Sequence, residues 1–247
     1  FFGIDVPEEY GGMGLDDYRY NTILIEESVK AENPGFGHSV QNDLVVPYLL
    51  RHSTEEQKKR WLPKICSGET IGALAMTEPG GGSDVAAIKT LAKDMGDHFL
   101  VNGSKSFITN GLLADLVIVA CKTDSKAGAH GISLIILERG MEGFDRGNKL
   151  DKIGQFGQDT AELFFKDVKV PKENLLGEEG KGFYYMMESL PKERLSIAAG
   201  AIAVIEFVLE LTIQYCHDRK AFGQKIGSFQ NSKFKLAEMT TEAEIGR

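Results

Sequence analysis

The spacing of apolar residues changes twice along the chain, and each change marks a different kind of secondary structure. In residues 1–70, a stripe that begins at Tyr20 and ends near Asn33-Pro34 has the spacing of an α-helix. A second apolar segment covers residues 40–49. Ser53, with Glu56 three residues later, predicts a capping box for a third helix, which reaches Gly68. The first part of the chain is therefore expected to be helical.

Between residues 71 and 177 the pattern favours strands. Short apolar runs alternate with turns that contain glycine, and they predict strands at Ile71–Met76, Leu116–Cys121, Ile132–Leu137 and Glu162–Val168. Asn102-Gly103 separates two such runs and predicts a hairpin turn. Because no segment of helical period intervenes, we expect a β-sandwich or barrel rather than β-α-β units.

Helical spacing returns at Gly182. The apolar positions that carry it are Leu195, Ala198, Ile202, Ile205 and Leu209. Pro191 predicts either a kink in this helix or its first turn. The whole pattern predicts an α+β protein, with an incomplete N-terminal helical domain at 1–70, a middle β-domain at 71–177 and an incomplete C-terminal helical domain at 178–247.

Charge and cysteine usage argue against several classes of partner. The net charge of −8 and the pI near 5.3 argue against nucleic acid, which requires a basic face. The longest apolar stretch, Leu195–Val204, is far too short to span a membrane. The three cysteines are scattered, which favours a reducing compartment, and the five histidines have no metal-binding spacing.

Both ends of the chain are expected to be truncated. Phe1 is not a start methionine, and Arg247 stops the chain inside what is predicted to be a polar helix. A targeting signal could have been lost with the N-terminus, so its absence carries no information.

Two segments of the predicted β-region carry residues suited to ligand binding. Met76–Asp84 has three consecutive glycines after a predicted strand, and glycines let main-chain amides approach an anion or a ring closely. A flexible surface turn would have the same composition. In Gly103–Gly111, Phe107 and Thr109 share one face of a predicted strand and could line one ligand. A half-buried strand with an aromatic core residue is the alternative.

A third segment, Leu190–Leu195, lies at the start of the predicted long helix. Glu193 in this position could merely complement the helix dipole. Alternatively, Glu193 shares a helix face with Ile197 and Gly200, and a carboxylate in such an apolar pocket could act as a base.

A fourth segment, Asp218–Gln224, precedes Phe229-Gln230. Its paired cations and its aromatic residue suit a phosphate and an adenine, and they suit a solvated helix end equally well.

In this order and spacing the four segments resemble the acyl-CoA dehydrogenase family. Pro7–Gly12, Val168–Pro171 and Asn174–Gly177 match as well, so the resemblance covers essentially the whole chain. It implies an N-terminal helical domain, a middle β-domain and a C-terminal four-helix domain, with FAD in the cleft between the last two.

The resemblance also implies roles for single residues. The cofactor-binding residues would be Met76, Thr77, Ser83, Phe107, Ile108, Thr109, Arg219, Phe222 and Gln230. The last three resemble positions that clasp the ADP half of FAD bound to a neighbouring subunit, which implies a homo-oligomer, either a tetramer or a dimer. Phe107 keeps an aromatic platform where many relatives carry Trp. Ala221 replaces a common Thr, which removes one hydrogen bond of the family pattern.

The position of the base separates the subfamilies. Most members carry the catalytic Glu in a late C-terminal loop, whereas long-chain and isovaleryl types place it on the first long C-terminal helix in a Glu-Arg-Leu context. Glu193-Arg194-Leu195 resembles the second arrangement, so Glu193 is implied as the base. Gly147–Leu150, Gln158–Leu163 and Gly182–Met187 resemble the long-chain type. The implied acyl-CoA contacts are Ser83, Tyr184, Lys192 and Arg194.

The implied activity is FAD-dependent α,β-dehydrogenation of an acyl-CoA to a trans-2-enoyl-CoA in fatty-acid β-oxidation, with a long-chain or branched substrate. Electrons would pass to an electron-transfer flavoprotein. The rival interpretations are an acyl-CoA oxidase that uses oxygen and a flavin-free acyl-CoA-binding paralogue. The expected location is the bacterial cytoplasm or the mitochondrial matrix.

Overall fold

The computed structural model describes residues 1–33 and 35–247. Within these ranges the α-helices are α1 (Arg19–Lys30), α2 (Val46–His52), α3 (Glu55–Ser67), α4 (Gly182–Asp218) and α5 (Gln230–Gly246). The strands are β1 (Gly72–Ala75), β2 (Leu91–Asp94), β3 (His98–Thr109), β4 (Leu116–Lys122), β5 (Ile132–Glu138), β6 (Phe144–Lys149), β7 (Thr160–Pro171), β8 (Leu175–Leu176), β9 (Lys220–Ala221) and β10 (Gln224–Lys225). A π-helical turn, Val40–Val45, leads into α2.

The helices predicted in the first part of the chain are present, with one correction to a boundary. The capping box that starts α3 pairs Thr54 with Gln57, one residue later than the predicted Ser53 and Glu56. The Thr54 amide donates to Gln57 Oε1 at 2.9 Å, and the Gln57 amide donates to Thr54 Oγ1 at 3.2 Å. Gly68 ends α3 in the left-handed conformation, as Gly often does. The predicted end of the first stripe includes Pro34, which lies outside the described residues.

Strands β1 to β8 form one sheet in the order β6-β7-β3-β2-β4-β5-β8, and β1 pairs in parallel with β4. All seven residues of β4 are buried. Because side chains alternate across a strand, Leu116, Ile118 and Ala120 belong to one apolar cluster while Val117 and Val119 belong to the other. The sheet therefore has an apolar core on each face at β4.

The predicted hairpin at Asn102-Gly103 is wrong, because β3 runs through both residues. The pairing of β3 with β7 shifts register between Val101 and Gly103, where Gly103 has φ +150°. A Cβ at Gly103 would lie 2.5 Å from Thr90 Oγ1. Gly103 therefore lies in a β-bulge and close to Thr90. Both situations are common reasons for a glycine within a strand.

Helix α4 begins at Gly182, so Pro191 lies in its interior and the first-turn alternative is wrong. Since Pro has no N–H, the carbonyl of Met187 lacks its usual donor from residue 191. Glu193 lies about three turns into the helix, beyond the range over which the helix dipole acts. The dipole role considered for Glu193 is therefore wrong.

By length and composition, α4 is long and apolar enough to cross a membrane. The expectation that no segment is long enough to span a membrane is therefore wrong. It counted the apolar stretch only as far as Val204, whereas a membrane-spanning helix tolerates isolated charges. The core helix of a water-soluble protein meets the same criteria, so α4 is weak evidence for a membrane.

The described chain divides into two compact units. The first comprises residues 1–21 and 35–193 and holds the eight-stranded sheet and both apolar clusters. The second comprises residues 22–33 and 194–247, which include the β9–β10 hairpin and α5. Arg247 pairs there with Glu26 and Glu206. The division into three domains at residues 70 and 177 stays a prediction.

Candidate active site

The glycine-rich segment leaves the end of β1 as a loop that is fixed at its base and open at its tip. Glu78 and Gly81 exchange two main-chain hydrogen bonds of 3.0 Å, and the Ser106 amide donates to the carbonyl of Thr77 at 2.9 Å. A Cβ at Gly80 or Gly81 would have no heavy atom within 4 Å. No protein atom therefore lies where a side chain would stand at these two glycines, and the tip is open to a ligand.

A buried ion pair fixes the base of this loop. Lys105 Nζ donates to Glu78 Oε1 and to the carbonyl of Met76, both at 2.9 Å. The Glu78 carboxylate also accepts from the amides of Lys89 and Thr90, at 2.6 and 2.9 Å. Burial opposes ionisation of Glu78, but these hydrogen bonds and the Lys105 charge hold its pKa below the usual value. The pair ties the loop to β3.

Strand β3 turns Phe107 outward at a second bulge. The pairing with β7 shifts register between Lys105 and Ile108, and Phe107 has φ +60°, which is unusual for an aromatic residue. Phe107 is 69% exposed, Thr109 is half-buried and Ile108 lies in the core. The bulge presents an aromatic ring to solvent, and any ligand contact by Ile108 has to use its main chain.

The outer side of the glycine loop borders a cavity of about 350 Å³. It is lined by residues 78–81, Asp84, residues 87–90 and Gly103-Ser104. Ser83, the serine of the glycine-rich motif, is exposed and immediately precedes Asp84 in the sequence. The loop and the bulged strand therefore border a common space that a ligand of moderate size can enter.

Glu193 is a buried carboxylate with a phenol beside it. Its side chain is 7% exposed, and the hydroxyl of Tyr48 on α2 donates to Glu193 Oε1 at 3.1 Å. The expected shielding by Ile197 is absent, since Ile197 is 75% exposed. Tyr48, rather than an apolar residue of the same helix, therefore contributes to the environment of the carboxylate.

The residues expected to contact acyl-CoA differ in their surroundings. Tyr184 is 65% exposed and Arg194 is exposed. Lys192 is half-buried, with its Nζ 3.4 Å from Asp5 Oδ2 and near the ring of Tyr18. Lys192 thus already has an acidic partner within this chain.

The segment expected to clasp the ADP half of FAD forms a hairpin. Lys220–Ala221 pairs with Gln224–Lys225, and Phe222 and Gly223 turn the chain with φ of +52° and +77°. Phe222 is 97% exposed, and its ring lies 6.3 Å from that of Phe229. Gln230 begins α5. The hairpin follows the end of α4 and holds the Phe222 ring out in solvent, as the solvated-helix-end alternative expects, and its ligand-binding role stays a prediction.

The predicted site residues are divided between the two compact units. Met76 packs against the apolar cluster that contains Tyr48, which brings the start of the glycine loop into one core with the partner of Glu193. Arg219, Phe222 and Gln230 belong to the second compact unit. Among residues 1–33 and 35–247, no group of three His, Cys, Asp or Glu side chains is placed to hold a metal ion.

Three residues of the site were not identified from the sequence. Lys105 and Glu78 stand within the quoted motifs, but nothing in their spacing of 27 residues predicts an ion pair. Tyr48 belongs to the apolar segment at residues 40–49, and nothing in that segment indicates a partner for Glu193. The one signal in the sequence was the position of Lys105 inside a predicted strand. A lysine that becomes buried in a strand needs a partner, because Lys is rarely buried without one.

Comparison with known proteins gives consistent matches along the chain. The acyl-CoA dehydrogenase N-terminal, middle and C-terminal domain models match residues 1–69, 73–168 and 180–247. The mitochondrial long-chain specific acyl-CoA dehydrogenase of Sus scrofa is 48% identical over 247 residues, which cover 99% of this chain and 57% of that protein. The mitochondrial isovaleryl-CoA dehydrogenase of Oryza sativa subsp. japonica is 45% identical over 246 residues, covering 99% and 60%.

A solved structure agrees with these matches. The crystal structure of an acyl-CoA dehydrogenase from Geobacillus kaustophilus superposes with a TM-score of 0.97 at 52% identity, covering 100% of this chain and 65% of that one. The chain thus spans less than two thirds of the length of these proteins. The predicted fold is confirmed, and the chain belongs to the acyl-CoA dehydrogenase family.

Proposed function

We propose that the protein carrying this chain is an FAD-dependent dehydrogenase that converts an acyl-CoA to the trans-2-enoyl-CoA, with Glu193 as its base. The α-proton of a thioester is a poor acid in water, so its base has to be positioned and partly desolvated. Glu193 is buried and held by a hydrogen bond from Tyr48, in a chain of this family. This buried carboxylate is the observation that carries the proposal.

The glycine loop and the bulged strand fit FAD. The open tip at Gly80 and Gly81 lets a bulky group approach the main chain closely, and the exposed ring of Phe107 offers an aromatic face to a flavin. The residues proposed to hold FAD within this chain are Met76, Thr77, Ser83, Phe107, Ile108 and Thr109. Arg219, Phe222 and Gln230 would hold the ADP half of FAD in a neighbouring subunit of a homo-oligomer. When bound, FAD supplies an acceptor for hydride.

The reaction removes one proton and one hydride from the substrate, which together amount to two protons and two electrons. The Glu193 carboxylate takes the α-proton, and the electron pair of that C–H bond forms the new bond between Cα and Cβ. The β-hydrogen leaves with its electron pair as hydride. We propose that these electrons pass to an electron-transfer flavoprotein. We also propose Ser83, Tyr184, Lys192 and Arg194 as contacts to the acyl-CoA.

We propose a long straight-chain acyl-CoA as substrate and fatty-acid β-oxidation as the pathway. The Glu-Arg-Leu context of Glu193 and the 48% identity to a long-chain specific relative support this choice. A reducing compartment, either the bacterial cytoplasm or the mitochondrial matrix, suits the three free cysteines. We propose that the apolar face of α4 packs against protein and not lipid, because the same helix carries the base.

The test is Glu193→Gln in the full-length protein loaded with FAD. We expect the variant to keep FAD and acyl-CoA binding and to lose bleaching of the flavin absorbance when substrate is added without oxygen. Glu188→Gln, an exposed Glu on the same helix, is the matched control and should bleach like the wild type. Undiminished bleaching by Glu193→Gln would exclude Glu193 as the base.

The same preparation tests the substrate and the electron acceptor. Turnover with a series of straight and branched acyl-CoAs should be fastest with long straight chains, and a maximum at isovaleryl-CoA would contradict the proposed substrate. Rapid peroxide formation in air without an added acceptor would assign the protein to the oxidases.

A further inference from the structure

We propose that Tyr48 is a positioning residue for the base, whose hydroxyl fixes the orientation of the Glu193 carboxylate and favours its ionised, proton-accepting form. The inference rests on the proposed function of Glu193. It goes beyond that function because it names the group that controls the base.

The contact joins two buried side chains from distant parts of the sequence. Tyr48 is 0% exposed and Glu193 is 7% exposed, and the phenol oxygen lies 3.1 Å from Glu193 Oε1. A hydrogen bond to a carboxylate that is shielded from water is stronger than one at the surface. Among the rotamers that Glu193 can adopt, this bond favours the one observed.

The Tyr48 ring is itself held rigidly, so its hydroxyl has a fixed position. It belongs to the apolar cluster that contains Leu49, Trp61 and Leu62, all of them buried. Close packing of this kind prevents a ring from swinging aside without opening the core. Ser189, one helical turn before Glu193, is also buried and lies beside the Tyr48 hydroxyl.

The hydroxyl keeps its proton and therefore acts as a donor. Burial first, and then the charge of Glu193, raise the pKa of Tyr48 above its usual value, while the Ser189 hydroxyl and, more weakly, the cation of Arg51 on α2 act in the opposite direction. A donor facing a carboxylate stabilises the ionised form. Removal of the donor should therefore make Glu193 harder to ionise and freer to rotate.

The experiment measures flavin reduction in the full-length, FAD-loaded protein. Wild type and Tyr48→Phe are mixed with hexadecanoyl-CoA without oxygen in a stopped-flow instrument, and the rate of flavin bleaching is recorded as a function of pH. For Tyr48→Phe we expect the pH of half-maximal rate on the acid side to rise by about one unit, with a rate at the plateau about tenfold lower. The KM for acyl-CoA should stay within about twofold, since Tyr48 is fully buried and its hydroxyl contacts Glu193.

Tyr10→Phe is the matched control. The Tyr10 hydroxyl donates to the carboxylate of Glu55 at 2.5 Å, so the same atom is removed from a Tyr–Glu pair in which Glu193 takes no part. Its pH profile should coincide with that of the wild type. Equal profiles for Tyr48→Phe and Tyr10→Phe would overturn the positioning role. Failure of the wild type to bleach, or bleaching by Glu193→Gln, would instead overturn the proposed function.

A second variant covers the case in which Tyr48→Phe does not fold. Tyr48→3-fluorotyrosine keeps the hydroxyl and nearly the same volume, and the fluorine makes the phenol a stronger donor. The pH of half-maximal rate should then fall below that of the wild type. An unchanged or raised value would refute the proposal.

Discussion

The ion pair between Lys105 and Glu78 should be a main source of stability for the first compact unit, and Lys105→Met tests this. Lys105 is 0% exposed and donates two hydrogen bonds, one to a carboxylate that is 8% exposed. Removal of one partner of a buried pair typically costs about 3–5 kcal/mol, because the other charge is left without compensation. Glu78 keeps its two amide donors in the variant. We therefore expect a loss at the lower end, about 3 kcal/mol in the free energy of unfolding.

Urea unfolding followed by tryptophan fluorescence is the suitable assay. Trp61 is the only tryptophan in the chain, and it is buried in the core of the same unit. Lys58→Met is the matched control, because it makes the same chemical change in a pair with Glu55, which is 60% exposed. The control should unfold like the wild type, since exposed pairs contribute little. A loss below about 1 kcal/mol for Lys105→Met would refute the assigned importance of the buried pair.

Three further predictions use the same assay. Gly103→Ala should lower the free energy of unfolding by about 1–3 kcal/mol, because the new Cβ would lie 2.5 Å from Thr90 Oγ1 at φ +150°; wild-type stability would show that β3 can relax there. Thr54→Ala should cost about 1 kcal/mol through loss of the capping box with Gln57, and no loss would mean that water replaces the cap. The pKa of Glu78 is lowered in the folded state, so its stabilising contribution is present above the ordinary value of 4.5 and is lost as pH falls through the folded value. Glu78→Gln should thus flatten the decline of stability below about pH 4.5, and an unchanged slope would contradict the sign of that shift.

The order of elements could be predicted from the sequence because it depends on local period. The apolar pattern correctly placed the helical stripe at α1, the strands β1, β4, β5 and β7, and the return of helical spacing at α4. The motifs around Met76, Phe107 and Glu193 were sufficient to indicate the family, since their order along the chain needs no coordinates.

Other features depended on contacts between distant residues. Asn102-Gly103 has the composition of a hairpin turn, but pairing of β3 with β7 and the close approach of Thr90 made it a bulge. Pro191 predicted either a kink in α4 or its first turn, but the helix begins at Gly182, so Glu193 lies well inside it. The pattern of a local segment does not encode such outcomes, because the interactions that compete with local preference come from other strands and helices.

The sequence by itself determined the family and the alternation of helical and strand segments, and it indicated Glu193 as the carboxylate that we propose as the base. Only the tertiary structure decided the surroundings of that carboxylate. Tyr48 stands 145 residues away and meets Glu193 because α2 and α4 enclose one apolar core. The partners of the glycine loop were decided in the same way, since burial of Lys105 in the sheet required a counter-charge and Glu78 supplies it. A charge buried by folding has to be compensated within the fold, and the compensating residue is chosen by proximity in space.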